Sequence, residues 1–240
     1  MTVSAPAKVF ADRIGRIEVS ATMAVAAEAA KLRAQGANPE VIRARRPAIV
    51  EMTEKAIQLG LQKARPMGWI KSVDVRSSRH DRFILADDLV LKGDLLLNQL
   101  GGATRIVFAI GTLGLALDDE ISAWMKEDAS LGFTLDTFGS FLAEALAQHL
   151  EEQIRAEAAA VAGQAVSLAL SPGLIGWPVD EGQPQIFNAL QPDPRLVSLS
   201  ASAQMIPRKS ISFILGIGCP AGSGTPCDFC DLRERCPNRK

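Results

Sequence analysis

The apolar residues of this chain change their spacing near Pro66, and that change restricts the fold class more than any other feature of the sequence. Residues 16–65 are rich in alanine and place apolar side chains at helical intervals, with Pro47 at a position that suits the first turn of a helix. Beyond Pro66, short β-branched or alternating runs bounded by glycine, asparagine and aspartate are typical of strands. Such runs occupy residues 69–75, 82–93, 104–114 and 198–218.

Further helices are predicted among these strands. The segment 117–128 and the longer segment 134–163 are amphipathic, and a short helix is expected over 185–191. Residues 165–173 form another strand candidate, which leads into a loop rich in proline and glycine. The pattern predicts an α+β fold, in which a helical N-terminal layer packs on a mostly antiparallel sheet.

Composition excludes several classes of partner. The formal net charge is −1, aromatic residues make up 5% of the chain and tyrosine is absent, so the sequence lacks the basic surface and the stacking side chains typical of nucleic-acid binding. The N-terminus reaches charged residues before any long apolar run, so we expect no signal peptide. No apolar run is long enough to span a bilayer. These features predict a cytoplasmic protein without a membrane partner.

The cysteines are confined to residues 219–240, which we call the cysteine tail. Their spacing is C-x7-C-x2-C-x5-C. In the cytoplasm, clustered thiols more often bind metal than form disulfides. A C-x-x-C pair binds one metal because its two sulfurs reach the same side of a tight turn. We therefore predict a short metal-binding C-terminal tail whose ligands are Cys219, Cys227, Cys230 and Cys236.

Four thiolates suit either an iron–sulfur cluster or a structural zinc ion. Cys219 and Cys236 each precede a proline, as does the last ligand of many ferredoxin motifs, and the spacing is less regular than that of paired zinc knuckles. The stretch AGSGTP leaves backbone amides free to donate hydrogen bonds to cluster sulfurs. These features favour an iron–sulfur cluster of the [4Fe–4S] type, with zinc as the alternative.

Four stretches in the body of the chain, taken together, resemble one known family. They are IVFAIGTLG at 106–114, TLDTFGSFLAEALAQHLEEQIR at 134–155, SPGLIGWPVDEGQPQIF at 171–187 and MIPRKSISFILGIG at 205–218. In this order and spacing they resemble the S-adenosylmethionine-binding activation domain of cobalamin-dependent methionine synthase and the short stand-alone proteins related to it. The resemblance divides the chain into a helical part at 1–80, an activation-domain-like body at 81–218 and the cysteine tail.

The resemblance implies a function. In that family, the domain rescues a corrinoid whose cobalt has become inert Co(II): one electron reduces it to Co(I), and a methyl group from S-adenosylmethionine traps the product. The implied partner is a corrinoid-binding protein or methyltransferase that carries the corrinoid, together with an upstream donor of low potential. Stand-alone relatives often end in a cysteine cluster. Because iron–sulfur potentials reach down to roughly −700 mV, such a cluster would be able to deliver the electron.

The resemblance also implies a ligand pocket between two regions. One is the Pro-Gly loop, residues 171–178, and the other carries polar residues of the long helix and the closing strand. The candidates are Glu144, Ser171, Pro172, Gly173, Trp177 and Lys209. The alternatives are a solvated carboxylate for Glu144, an exposed strand lysine for Lys209 and core packing for Trp177. Asp136, eight residues before Glu144, is expected to cap a helix.

The chain departs from the family at two positions of the methionine-binding loop. The family pattern Arg-x-x-Pro-Gly-Tyr corresponds to residues 169–174, where Ala169 replaces the arginine and Leu174 replaces the tyrosine. Both replacements remove groups that would grip the ligand, one of them through a charge-assisted hydrogen bond. We therefore expect weak binding of S-adenosylmethionine. Two alternatives stay open: a non-catalytic module that binds a corrinoid protein and uses zinc to fold its tail, and a methyl-donor site that acts on something other than cobalt.

Overall fold

The computed structural model of the chain describes residues 47–160, 165–219 and 225–229 and residue 234. The helix predicted before residue 47 lies outside these residues. The helices are α1 (Pro47–Lys63), α2 (Asp94–Leu100), α3 (Leu115–Glu127), α4 (Ala129–Ala160) and α5 (Val179–Leu190). The strands are β1 (Met67–Arg79), β2 (Arg82–Leu85), β3 (Val90–Lys92), β4 (Arg105–Thr112), β5 (Ser198–Leu199), β6 (Met205–Ile206) and β7 (Ser210–Ile217).

Five of the strands form one sheet in the order β3-β2-β1-β4-β7. The pairs β1–β2 and β2–β3 are antiparallel, with a bulge in β1 between Val75 and Ser77. Strands β5 and β6 form a separate antiparallel pair. The predicted α+β class with a mostly antiparallel sheet is confirmed. Among the described helices, none combines the length and the apolar character that crossing a bilayer requires.

Two compact units, each assembled from separate stretches of chain, make up the structure. The described residues of the first unit are 47–68, 111–149 and 207–210, and those of the second are 69–110, 150–160, 165–206, 211–218 and the described part of the cysteine tail. The division of the sequence into consecutive parts at residues 80 and 218 stays a prediction.

Helices dominate the first unit, and two glycines let them approach closely. A Cβ atom added to Gly60 of α1 would lie 2.4 Å from Cδ1 of Phe138 in α4, and one added to Gly132 of α4 would lie 2.6 Å from the backbone nitrogen of Met125 in α3. Side chains at these positions would therefore force the helices apart. Helix α4 begins after Asp128, whose Oδ1 accepts hydrogen bonds from the backbone amides of Ser130 (3.0 Å) and Leu131 (3.2 Å).

The second unit holds the apolar core around the sheet. Strand β4 is buried along almost its whole length, as its near-continuous apolar sequence predicts, and Phe83, Phe108 and Trp177 are the largest fully buried side chains. The expected strand at 165–173 is instead two isolated antiparallel bridges to β7, at Val166 and Leu170. Between these bridges, the hydroxyl of Ser167 accepts the amide hydrogen of Gly216 at 2.9 Å.

The predicted strand at 82–93 is interrupted. A 3-10 turn at Ala86–Asp88 separates β2 from β3, and Asp87 and Asp88 have left-handed backbones with φ of 57° and 55°. Their carboxylates form ion pairs with Lys71 and Arg76 of β1, each at 3.1 Å. Aspartate tolerates this backbone conformation better than most residues do. The two aspartates therefore permit a turn at a place where the sequence pattern predicts a continuous strand.

Strand β3 lies at an edge of the sheet, and a side chain of α5 pairs with it. The amide nitrogen of Lys92 donates to Oε1 of Gln185 at 2.6 Å, and Nε2 of Gln185 donates to the carbonyl oxygen of Lys92 at 3.3 Å. The carboxamide of Gln185 therefore makes the two hydrogen bonds that a neighbouring strand would make at this residue.

Candidate functional site

The Pro-Gly loop is built around a tight turn. The amide of Trp177 donates to the carbonyl oxygen of Leu174 (2.9 Å), and the amide of Gly173 donates to the carbonyl oxygen of Trp177 (2.8 Å). Gly173 and Gly176 have φ of +101° and +82°, a backbone region that L side chains rarely adopt. The loop conformation therefore depends on its two glycines, which the sequence contains at the required positions.

Trp177 lies inside the core of the second unit and is fully buried. A Cβ atom added to Gly93 would lie 2.9 Å from Cδ1 of the indole, and one added to Gly182 would lie 2.8 Å from its Cε2. Glycine at both positions thus makes room for the ring. Its Nε1 has no hydrogen-bond acceptor among the described residues. This location matches the packing alternative for Trp177, whereas Ser171 and Pro172 are half-buried and Gly173 is exposed.

A buried polar pair supports the helix that follows the loop. The hydroxyl of Ser212 in β7 donates to Oε1 of Gln183 in α5 at 3.0 Å, and both residues are buried. Sequence reasoning noted Gln183 only as part of a motif and missed its partner. The available signal was a serine inside the otherwise apolar run of β7, since a buried hydroxyl requires a hydrogen-bonding partner.

Lys209, in the first unit, makes polar contacts with two side chains of α4. Its Nζ lies 2.9 Å from Oδ1 of Asp136 and donates to Oγ of Ser140 at 2.9 Å. Its aliphatic stem crosses Gly139, where an added Cβ would lie 3.2 Å from Cε of the lysine. Asp136 is therefore an ion-pair partner in the interior of α4, and the prediction that it caps a helix is wrong. Glu144 is exposed on the same helix, four residues after Ser140.

A second carboxylate fixes the backbone around Lys209. The buried side chain of Asp118, in the first turn of α3, accepts hydrogen bonds from the amides of Arg208 and Lys209, the latter at 3.4 Å. The carbonyl oxygen of Lys209 accepts the amide hydrogen of Leu113 at 2.9 Å. Sequence reasoning missed Asp118, because its partners lie about 90 residues away along the chain.

Cys219, the first residue of the cysteine tail, lies in the apolar core. It follows Gly218 at the end of β7, is buried within the core of the second unit and has no disulfide partner among the described residues. A Cβ atom added to Gly216 would lie 3.0 Å from its Sγ, so glycine at that position leaves space for the sulfur. Burial raises the pKa of the Cys219 thiol. A metal ion would offset that penalty, because its charge stabilises the thiolate.

The C-x-x-C turn lies on the same unit. Cys227 belongs to the 3-10 turn Pro226–Phe229, although its side chain, together with Cys230 and Cys236, lies outside the described residues. Within the turn, Thr225 donates its amide hydrogen to Oδ2 of Asp228 at 2.8 Å, and the amide of Asp228 donates to the carbonyl oxygen of Thr225 at 3.0 Å. The carbonyl oxygen of Phe229 accepts the amide hydrogen of Ile175, in the Pro-Gly loop, at 2.9 Å.

Among the described residues, no group of three or more histidine, cysteine, aspartate or glutamate side chains is placed to hold a metal ion, so the four-cysteine metal centre stays a prediction. The described backbones of Cys219 and Cys227 both belong to the second unit. The six ligand-binding candidates are divided: Glu144 and Lys209 belong to the first unit, and the four residues of the Pro-Gly loop belong to the second.

Comparisons with known proteins bear on the fold. No family model matches the chain, and no curated protein matches its sequence. The crystal structure of the MetH reactivation domain bound to AdoHcy is similar, with a TM-score of 0.60 and 16% sequence identity over 82% of this chain and 73% of that chain. The chain has the fold of a methionine synthase reactivation domain. The resemblance predicted from four sequence stretches is thus confirmed at the level of the fold.

Proposed function

We propose that this protein reductively activates a corrinoid-binding protein, and that its cysteine tail holds an iron–sulfur cluster that delivers the electron. The observation that carries the proposal is the fold of a reactivation domain, which extends over 82% of the chain. The similar structure contains AdoHcy, the product that remains after S-adenosylmethionine gives up its methyl group. A fold that accommodates this product in one protein is a reasonable scaffold for the same ligand class here.

The proposed reaction has two steps. The Co(II) corrinoid of the partner accepts one electron and becomes Co(I). The Co(I) centre then attacks the methyl group of S-adenosylmethionine, which breaks the bond between sulfur and methyl and yields methyl-Co(III) and S-adenosylhomocysteine. The irreversible second step draws the unfavourable first step forward. A bound iron–sulfur cluster would supply the single electron at low potential, which reaches roughly −700 mV in this class of centre.

The residues of this chain would contribute in two places. Cys219, Cys227, Cys230 and Cys236 would ligate the cluster, and Ser171, Pro172 and Gly173 are candidates for direct contact with the S-adenosyl ligand. The Nζ of Lys209 forms an ion pair with Asp136 and donates a hydrogen bond to Ser140. Its proposed role is therefore to hold the polar surface of α4 on which Glu144 is exposed.

The first experiment determines the metal. Protein purified without oxygen should contain about four iron and four sulfide ions per chain and absorb broadly in the blue, as expected for one cluster on four cysteines. The Cys227→Ser and Cys230→Ser variants should lose the iron. Ser223→Ala, a change in the same tail that removes no thiol, serves as the control. One zinc ion per chain with negligible iron would contradict the redox proposal.

The second experiment tests the ligand. Ala169 and Leu174 are half-buried at the positions where the family has arginine and tyrosine. Loss of a charged hydrogen bond costs roughly 1.5–3 kcal/mol, so S-adenosylmethionine should bind about ten- to a hundredfold more weakly than with both groups present. The double variant Ala169→Arg, Leu174→Tyr should restore affinity in calorimetry. Ala169→Gln with Leu174→Tyr lacks only the charge and is the matched control.

A second candidate function has support from the same two positions. Without the arginine and the tyrosine, the fold would act as a non-catalytic module that binds a corrinoid protein, with zinc folding the tail. Stoichiometric zinc, no measurable affinity for S-adenosylhomocysteine in either the native chain or the double variant, and retained binding to a corrinoid protein would favour this function. Micromolar binding of S-adenosylmethionine by the native chain would instead favour complete activation chemistry.

A further inference from the structure

One hydrogen bond joins the cysteine tail to the Pro-Gly loop within the second unit. Its acceptor is the carbonyl oxygen of Phe229, and its donor is the amide of Ile175, at 2.9 Å. Phe229 immediately precedes Cys230, so the acceptor lies between the two cysteines of the C-x-x-C motif. The cysteine tail and the predicted ligand loop therefore make direct contact through backbone atoms of Phe229 and Ile175.

On the loop side, the amide of Ile175 has no role in closing the turn. The turn is closed by the amides of Gly173 and Trp177, which bond within the loop. The side chain of Ile175 is 46% exposed, so packing of that side chain does little to hold the tip of the loop. Leu174 packs against the core, and a Cβ atom added to Gly176 would lie 3.2 Å from the backbone nitrogen of Leu95 in α2. The hydrogen bond to Phe229 adds a polar contact between this tip and the cysteine tail.

On the tail side, the turn that presents the acceptor is short. The 3-10 helix Pro226–Phe229 contains four residues, and so short a helix is not stable by itself. Its described supports are the Thr225–Asp228 hydrogen bonds and the packing of Phe229 against the core. A metal bound by Cys227 and Cys230 would constrain both ends of the Asp228–Phe229 pair and so fix the direction of the Phe229 carbonyl.

We infer that filling the four-cysteine centre stabilises the tip of the Pro-Gly loop, at Ile175, through the hydrogen bond between Phe229 and Ile175. The inference rests on the metal centre and ligand loop of the proposed function, but it does not depend on which metal is bound. Binding at the two places is then coupled, and each increases the affinity at the other by the same factor. The chain would bind an S-adenosyl ligand more tightly when the four-cysteine centre is filled than when it is empty.

The geometry of the turn permits a variant that removes one donor and little else. Ile175 is the second residue of the turn 174–177, and Gly176, the third, has φ of +82°. Proline suits the second position of such a turn and has no amide hydrogen. Ile175→Pro therefore deletes the bond to Phe229 and keeps the turn. Ile175→Ala removes the same exposed side chain, retains the amide and is the matched control.

The first measurement uses the native chain and zinc as the probe. Amide hydrogen exchange is followed by NMR with zinc bound and after its removal by a chelator. The Ile175 amide should exchange at least several-fold faster without zinc, because its acceptor is no longer held. The amides of Gly173 and Trp177 bond within the loop and should change much less. Equal exchange at Ile175 in both states would overturn the inference.

The second measurement compares the affinities of the two variants for zinc and for S-adenosylhomocysteine. One backbone hydrogen bond corresponds to about a two- to tenfold change, so Ile175→Pro should bind zinc that much more weakly than Ile175→Ala. Zinc should likewise tighten binding of S-adenosylhomocysteine to Ile175→Ala more than to Ile175→Pro. Equal zinc affinities, or a native chain that binds no zinc, would refute the coupling. Iron analysis tests the redox function separately, so a zinc protein would still display this coupling.

Discussion

Replacement of Lys209 by methionine isolates the ion pair that links the 207–210 segment to α4. The methionine side chain is about as long as the aliphatic stem of lysine, so it preserves the packing over Gly139, where an added Cβ atom would lie 3.2–3.4 Å from Cγ, Cδ and Cε of the lysine. What the variant loses are the two polar contacts of Nζ, to Asp136 and to Ser140, both at 2.9 Å. The experiment therefore measures charge and hydrogen bonding rather than a cavity.

The exposure of the two partners sets the expected magnitude. Removal of one member of a fully buried ion pair costs about 3–5 kcal/mol, whereas exposed pairs contribute about 0–1 kcal/mol. The Lys209 side chain is 10% exposed and that of Asp136 is 34% exposed, so water can reach the carboxylate after the ammonium group is lost. We expect Lys209→Met to lower the free energy of unfolding by about 1–3 kcal/mol, between the two limits.

Urea unfolding of a double-mutant cycle tests this value. The four proteins are the native chain, Lys209→Met, Asp136→Asn and the double variant, all measured with the same metal content, since bound metal alters apparent stability. Lys126→Met, which changes an exposed lysine of α3, should have almost no effect. A coupling energy below about 0.3 kcal/mol between the two positions would refute the argument, because that is the ordinary deviation from additivity.

Two further changes test the packing and the charges of the first unit. Gly60→Ala should lower the melting temperature, with a cost of about 1–3 kcal/mol, because its Cβ would lie 2.4 Å from Cδ1 of Phe138; Gln58→Ala on the same helix should not. The hydrogen bond from Lys63, at 2.8 Å, lowers the pKa of Glu120 from its ordinary value of 4.5. The stabilisation of the folded state by this ion pair is therefore complete above pH 4.5 and is lost as the pH falls through the lowered pKa. The stability difference between the native chain and Glu120→Gln, about 0.5–1 kcal/mol at pH 7, should therefore shrink on acidification, and a constant difference in acid unfolding would contradict it.

Local signals were sufficient wherever one residue determines the backbone. That Pro47 opens α1 stays a prediction, because the residues before it lie outside the described part of the chain; its fixed φ suits a first turn. The sequence GTLG predicts turn glycines at Gly111 and Gly114, and Gly114 is one, with φ of +83° before α3. Gly111 is instead a buried residue of β4, since apolar burial continues the strand to Thr112.

The start of the long helix shows how two plausible local signals compete. The sequence placed it at residue 134, near Asp136, but Asp128 caps a helix that begins at Ala129. The predicted helices left residues 129–133 unassigned, and Gly132 in this stretch allows α3 and α4 to approach closely. A helix propensity penalty of about 1 kcal/mol for glycine is readily exceeded by such packing.

The polar arrangement of the candidate site depended on contacts that no local pattern contains. The ion pair of Lys209 joins residues 73 positions apart, and the Phe229–Ile175 bond joins backbone atoms whose side chains give no indication of it. The sequence could therefore nominate Lys209 and the loop, but not their partners. The four cysteine ligands stay a prediction, and the sequence can make it because the spacing of the thiols is itself a property of the sequence.

The pairing of Gln185 with Lys92 affects how copies of this chain behave beside one another. An edge strand with free amide and carbonyl groups is a template on which another chain can add a strand, and this is a common start of aggregation. Here, one side-chain carboxamide occupies both groups of Lys92. Because Gln185 reaches that edge only after α5 has docked, the protection is absent from a partly folded chain. Concentrated refolding is therefore the condition under which the β3 edge is most open to self-association, and a folded sample is the condition under which it is least so.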